Sequence, residues 1–278
     1  MADSVSPGGH QAGLGKTLRT DRWWFEATWT GAGFLIFVIY TTWAMLQGNH
    51  YFHQNYLSPF YSPVIFTDPS VPGAAPVEHA LLGEFPDWLK AIWPFFLPMS
   101  PGILIAIGPL AFRMTCYYYR KFYYRAYFMT PPACAVGSRT QNYRGETALL
   151  LIQNLHRYTL YIAIAYIGIL YYDAFLSFFR EGVFGVGVGS IVLLLNPTLL
   201  GLYTFGCHAF RHLVGGQIDC YSCDNFSHTR QGIWKKVTSL NKRHMLWAWV
   251  SMIWVGLTDL YVRLVSMGII HDFNTWGT

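Results

Sequence analysis

Apolar and polar residues fall along this chain in long blocks rather than in short periods. Apolar stretches cover about Thr28 to Leu46, Gly102 to Tyr119, Ala148 to Phe175, Val186 to His212 and His244 to Met267. Each is close to the roughly 20 residues that cross a bilayer as a helix. The pattern therefore predicts an all-α integral membrane protein, a bundle of five transmembrane helices. Gly48 to Leu89 interrupts it with a polar, proline-rich segment that has no Lys or Arg and carries Asp68, Glu78, Glu84 and Asp87; it reads as an outside loop. Trp88 to Pro98, broken by Pro94 and Pro98, is expected to lie along the surface, and Asn196-Pro197 to kink the fourth span. The domain plan that follows has residues 1–26 as a cytoplasmic tail with an interfacial Trp segment. Residues 27–270 form the five-helix anchor domain, with its long outside loop over about 47–90, and 271–278 are a carboxyl-terminal tail.

Composition agrees with a lipid environment. The chain is 53% hydrophobic and 12% charged, against about 25% charged in a soluble domain, and its 18% aromatic content suits interfacial belts. The net charge of +5 does not point to nucleic acid, because the cations sit in short loops beside the spans. Fourteen Lys and Arg fall on the side of the tail and of the loops after the second and fourth spans, whereas Lys90, Arg180 and Arg263 fall on the other. That bias predicts a cytoplasmic amino terminus and an outside carboxyl terminus. Met1 to Lys16 is polar and Gly-rich, without the apolar core of a cleavable signal.

The candidate chemistry gathers on the inner side. Gly206 to Cys223 packs Cys207, His208, His212, Cys220 and Cys223 at the end of an apolar run. With the predicted orientation, Cys116, His156 and His244 share that level, and Cys134 lies in an adjoining loop. Five cysteines, an odd number with one C-x-x-C pair, do not resemble a secreted disulfide framework. Metal ligation and plain packing stay open for each, and zinc or no metal is an alternative for Cys220 and Cys223. His208 and His212, four apart, share a helix face that suits either two ligands or two helix-end cations. Arg113 inside a span needs a partner or a polar cavity. Asp259 and Arg263, also four apart, can pair along the fifth helix.

Arg113-Met114-Thr115-Cys116-Tyr117-Tyr118-Tyr119-Arg120-Lys121, Pro131-Pro132-Ala133-Cys134, Asn154-Leu155-His156-Arg157-Tyr158, Gly206-Cys207-His208 with Arg211-His212-Leu213-Val214-Gly215-Gly216, and Thr258-Asp259-Leu260-Tyr261-Val262-Arg263 together carry a resemblance. The chain resembles the single-chain, five-span membrane anchor of the actinobacterial type of succinate dehydrogenase, respiratory complex II, over about Trp23 to Ile270. The resemblance implies flavoprotein and iron-sulfur subunits as partners on the cytoplasmic side of the cell membrane. It also implies quinone as substrate, and a chain that does not itself oxidise succinate. Anchors of this kind commonly hold two haems b between facing histidines. Here the outer halves of the spans hold no histidine and the inner level is rich in cysteine, which is similar to the haem-lacking branch with a Rieske-type [2Fe-2S] cluster.

Such a cluster takes two thiolates on one iron and two imidazoles on the other. Two schemes fit. In the distributed scheme Cys116 and Cys207 pair with His156 and either His212 or His244. In the compact scheme Cys220 and Cys223 pair with His208 and His212. Quinone would be met by Trp23, Arg113, Tyr117, His156 and Arg157, an Arg or Tyr countering the developing charge on its oxygens. Haem b and a metal-free scaffold are the alternatives.

Overall fold

The structure is a computed structural model that describes residues 13–139, 152–216 and 218–277. The tail before residue 13 and the expected start of the third span at Ala148 lie outside the described residues. What is described is mostly helical, and four helices are long and apolar enough to cross a membrane. They are α1 (Trp24–Gln47), α6 (His156–Leu176), α7 (Val188–Phe205) and α10 (His244–Ser266). The expected second span is instead a broken run. Its pieces are α3 (Pro101–Ile105), α4 (Ile107–Met114), α5 (Tyr117–Tyr123) and a π-helical turn, Tyr124–Phe128. It is interrupted at Ala106 and again at Thr115 and Cys116, where Cys116 adopts extended dihedrals. A short helix, α2 (Asp87–Ile92), precedes it.

The fourth apolar block also divides. Helix α7 runs through Pro197, ends at Phe205, and gives way after Gly206-Cys207 to α8 (His208–Gly215). The basic stretch read as a loop before the last span contains a 17-residue helix, α9 (Asn225–Asn241), capped by the Asp224 carboxylate, which accepts from the Ser227 amide. Membrane-length averaging misses such an element, because its only deeply buried side chain is Val237 and its other face is polar.

The chain divides into two compact units: Met1–Ile39 with Arg113–His156, and Tyr40–Phe112 with Arg157–Thr278. In the first, Phe34 of α1 packs among the rings of Phe122, Tyr123 and Tyr127 at 5.0 to 6.5 Å, and the Tyr127 hydroxyl donates to the Gly31 carbonyl at 2.9 Å. An amino-terminal strap crosses the 133–137 loop: the Gly15 amide donates to Gly137, the Gly137 amide to Lys16, and Arg19 to the Cys134 carbonyl.

In the second unit α10 packs along α7, and the Trp254 indole donates to the Val192 carbonyl. The expected outside loop has its own core of Tyr51, Phe52, Leu57, Tyr61, Val64 and Ala75, built on a hairpin of β1 (Phe52–His53) and β2 (Tyr56–Leu57). A second hairpin, β3 (Phe179–Arg180) with β4 (Val183–Phe184), joins α6 to α7. The carboxyl-terminal residues fold back over it: Val188 donates to Phe273, and Asp272 accepts from Tyr56, Tyr261 and the Gly189 amide while pairing with Arg180. The broken run starts where Ser100 donates to the Met45 carbonyl near the end of α1. It passes the middle of α6, where Tyr166 donates to Ile105 at 2.9 Å and a Cβ added at Gly108 would meet Tyr166 and Ile162 at about 3.0 to 3.1 Å. Phe112 then reaches the Tyr203 ring, near the end of α7, at 5.5 Å.

Candidate functional site

The predicted ligands fall into the two units, and in each the residue before a buried cysteine meets an imidazole. In the first, the helix break after Met114 turns Thr115 toward α6, so that its hydroxyl lies 3.1 Å from His156 Nδ1. The next residue, Cys116, is buried and holds a free thiol. A hydroxyl on Nδ1 fixes the ring's orientation, as outer partners do for ligating histidines. Arg113, one turn earlier, directs its guanidinium at the Tyr119 hydroxyl, 2.5 Å away, and over the Tyr119 ring. That gives Arg113 the polar partner that an arginine within an apolar segment needs. Tyr117 is exposed, and Trp23 is half-buried at the foot of α1.

In the second unit, the break at Gly206-Cys207 places the buried Cys207 as the cap of α8, where its sulfur accepts the Phe210 amide at 3.2 Å. Negative charge on sulfur is favoured at such a helix start. His244 opens α10 fully buried, its ring stacked on Tyr203 at 5.0 Å. A Cβ added at Gly206 would sit 3.4 Å from His244 Nδ1, so the glycine before Cys207 lets the imidazole approach. Asn241, at the end of α9, donates to the Gly206 carbonyl and holds this corner.

The other candidates stand apart from that corner. His208 and His212 lie on α8 with exposed side chains. Cys220 and Cys223 are joined to each other as a disulfide, with Cα atoms 5.7 Å apart. Sulfurs bonded to each other offer no thiolate to iron, so the donor set of the compact scheme does not fit this state of the chain. Arg157 lies in the second unit with its guanidinium over Tyr158. Among the described residues no three of His, Cys, Asp and Glu are grouped as a metal site. Sequence reasoning missed Thr115, Tyr203 and Asn241, since none is a ligand type and each is positioned by a helix break or a helix that the apolar pattern does not show.

The sequence model of the family described as actinobacterial succinate dehydrogenase subunit SdhC matches residues 25–268. A solved structure titled Mycobacterium smegmatis Sdh1 complex in the apo form contains a chain 40% identical to this one, with a TM-score of 0.81 and 96% of each chain covered. No curated protein matches.

Proposed function

The chain belongs to the family of actinobacterial succinate dehydrogenase membrane-anchor subunits, part of a succinate dehydrogenase complex, and from that premise we propose that it carries electrons from the soluble iron-sulfur subunit through a membrane-embedded centre to quinone. The observation that carries this reading is that, in each compact unit, the residue before a buried cysteine meets an imidazole: Thr115, before Cys116, lies 3.1 Å from His156 Nδ1, and Gly206, before Cys207, lets His244 approach. Two thiols and two imidazoles are the donor set of a Rieske-type [2Fe-2S] cluster, which when bound supplies one-electron transfer at roughly −150 to +300 mV. Cys116, Cys207, His156 and His244 are the donor types that the distributed scheme of the resemblance calls for. His244 is preferred to His212 because it is buried and approaches Gly206, next to Cys207, whereas the His212 side chain is exposed.

This chain's own residues prepare the site in three ways. Thr115 orients the His156 ring through its contact with Nδ1. The Phe210 amide supports charge on the Cys207 sulfur. Arg113, held on Tyr119, is the donor proposed for a quinone oxygen, with Tyr117, Trp23, His156 and Arg157 completing the headgroup environment. Quinone reduction then takes its protons on the cytoplasmic side, where the soluble flavoprotein and iron-sulfur subunits dock. The path of the broken run, from the end of α1 past the middle of α6 to the end of α7, supports counting it as a fifth span. Five spans agree with a cytoplasmic tail, an outside carboxyl terminus and a place in the cytoplasmic membrane.

The test is a low-temperature electron paramagnetic resonance spectrum of the reduced, purified complex, with an optical spectrum of the same sample. A histidine-ligated [2Fe-2S] signal without a Soret band is expected. A Soret band would give His156, His208, His212 and His244 back to haem b. Iron matching only the soluble subunits would leave the chain a metal-free scaffold.

A further inference from the structure

We propose that Cys220 and Cys223 are a redox-active pair, a disulfide that exchanges with a soluble dithiol and returns to two thiols. The bridge joins residues three positions apart, in the stretch between α8 and α9. So short a ring takes little entropy from the unfolded chain, and it ties no distant elements together. Other contacts already hold the two helices. Arg230 of α9 donates to the Leu213 and Val214 carbonyls of α8, and the Arg211 guanidinium lies 4.5 Å from the centre of the Trp234 ring. A brace is therefore not what the bridge supplies.

Its exposure points to exchange. Cys223 is exposed and Cys220 half-buried, whereas Cys116 and Cys207 are buried. Exposed disulfides are the labile ones, because exchange needs a thiolate to reach a sulfur. One thiolate of the dithiol attacks the Cys223 sulfur, the more open of the two. The S–S bond breaks, and its electron pair leaves on the Cys220 sulfur, 3.9 Å from the Ser222 hydroxyl. The second thiolate of the dithiol then attacks the sulfur bound to Cys223, and Cys223 leaves in turn. Two electrons and two protons have passed to the pair, and the dithiol has become a disulfide. Tyr221 sits inside the ring and its hydroxyl donates to the Gly215 carbonyl, while Asp224, next after Cys223, caps α9. Opening the bridge frees the residues between those two fastenings and leaves the helices crossed. Disulfides on the cytoplasmic side are typically transient, catalytic or redox-sensing. The supply of reductant rests on the sidedness proposed above; the exchange itself depends only on this loop.

The experiment uses the whole purified complex, held without oxygen in buffers of reduced and oxidised dithiothreitol, quenched with N-ethylmaleimide and read by peptide mass spectrometry. Cys220 and Cys223 should take label together. A change of about hundredfold in the ratio of reduced to oxidised dithiothreitol should change the ratio of labelled to unlabelled pair about hundredfold, reversibly, because one dithiol exchanges with one disulfide. On reduction, amide exchange should quicken across residues 218–224 and stay unchanged in α9 beyond Arg230. In Cys220→Ser, the remaining Cys223 should form a mixed disulfide with oxidised glutathione faster than Cys220 does in Cys223→Ser; the reverse order would overturn Cys223 as the attacked sulfur. Label on both cysteines in every buffer, or on neither in excess reduced dithiothreitol, would overturn the proposal. So would label that appears only after a chelator has removed zinc or iron, since the pair would then be a metal site. Because label and not the cluster spectrum is read, a failed exchange and a missing cluster are told apart.

Discussion

At the scale of single residues, the charges within and beside the lipid-facing helices decide most. Asp259 and Arg263, four apart on α10, are both buried and pair at 3.5 Å. The sequence spacing shows that pair, because the helix itself brings positions four apart together. It does not show that Tyr40 and Ser58 also donate to Asp259, or that Arg263 reaches the Asn49 and Ala44 carbonyls, since those partners lie some 200 residues away in the chain. Asp259→Asn keeps a polar group for the hydroxyls but leaves the guanidinium buried without its countercharge. It should lower the stability of the complex by about 3 to 5 kcal/mol, read as an earlier thermal melt in detergent, with wild-type spectra of the redox centres before melting. Asp272 adds a pH term. Burial alone would raise its pKa, but hydrogen bonds from Tyr56 and Tyr261, the Gly189 amide and the Arg180 charge together lower it. A depressed folded-state pKa gives stability that is present above the unfolded value of about 3.9 and lost as pH falls through the folded value. The melting temperature should therefore fall in that acid window. Asp272→Asn should flatten this part of the profile, and an unchanged slope would rule the carboxylate out.

At the scale of elements, the breaks matter more than the helices. The apolar blocks locate α1, α10, the end of α6 and the start of α7 to within about four residues, because burial in lipid demands little more than length and hydropathy. They do not locate the interruptions at Thr115-Cys116 and Gly206-Cys207, where capping and a close approach decide, yet both put a candidate ligand at a helix start. Cys207→Ser tests which role the sulfur has. An oxygen at that position still accepts the Phe210 amide and still caps α8, so the complex should assemble. The cluster signal should nevertheless vanish or change shape, because the thiolate is gone; an unaltered spectrum would leave Cys207 a cap and nothing more. Gly215→Ala probes the next joint, because its Cβ would lie 2.4 Å from the Trp234 ring where α8 meets α9. Trp234 must shift, which should loosen α9 and be read as faster amide exchange across Asn225–Asn241.

At the scale of the whole molecule, the number of crossings and the sidedness of the termini are one question. Four long helices alone would return the carboxyl terminus to the side of the tail, while a fifth crossing sends it to the other. The broken run is too interrupted to be recognised by length, its longest α-helical piece being the eight residues of α4. Its contacts nonetheless descend from the end of α1 to the end of α7, and the cations follow the same parity, with the basic stretches after Tyr119 and after Phe205 both facing the cytoplasm on a five-span plan. Alkaline phosphatase fused after Thr278 should therefore be active, since it folds only outside. A fluorescent protein fused before Met1 should be bright, because it matures only inside. A phosphatase fusion that is inactive while the complex still assembles would make the run re-entrant, and Lys121 and Arg125 would need a new account of the side they face.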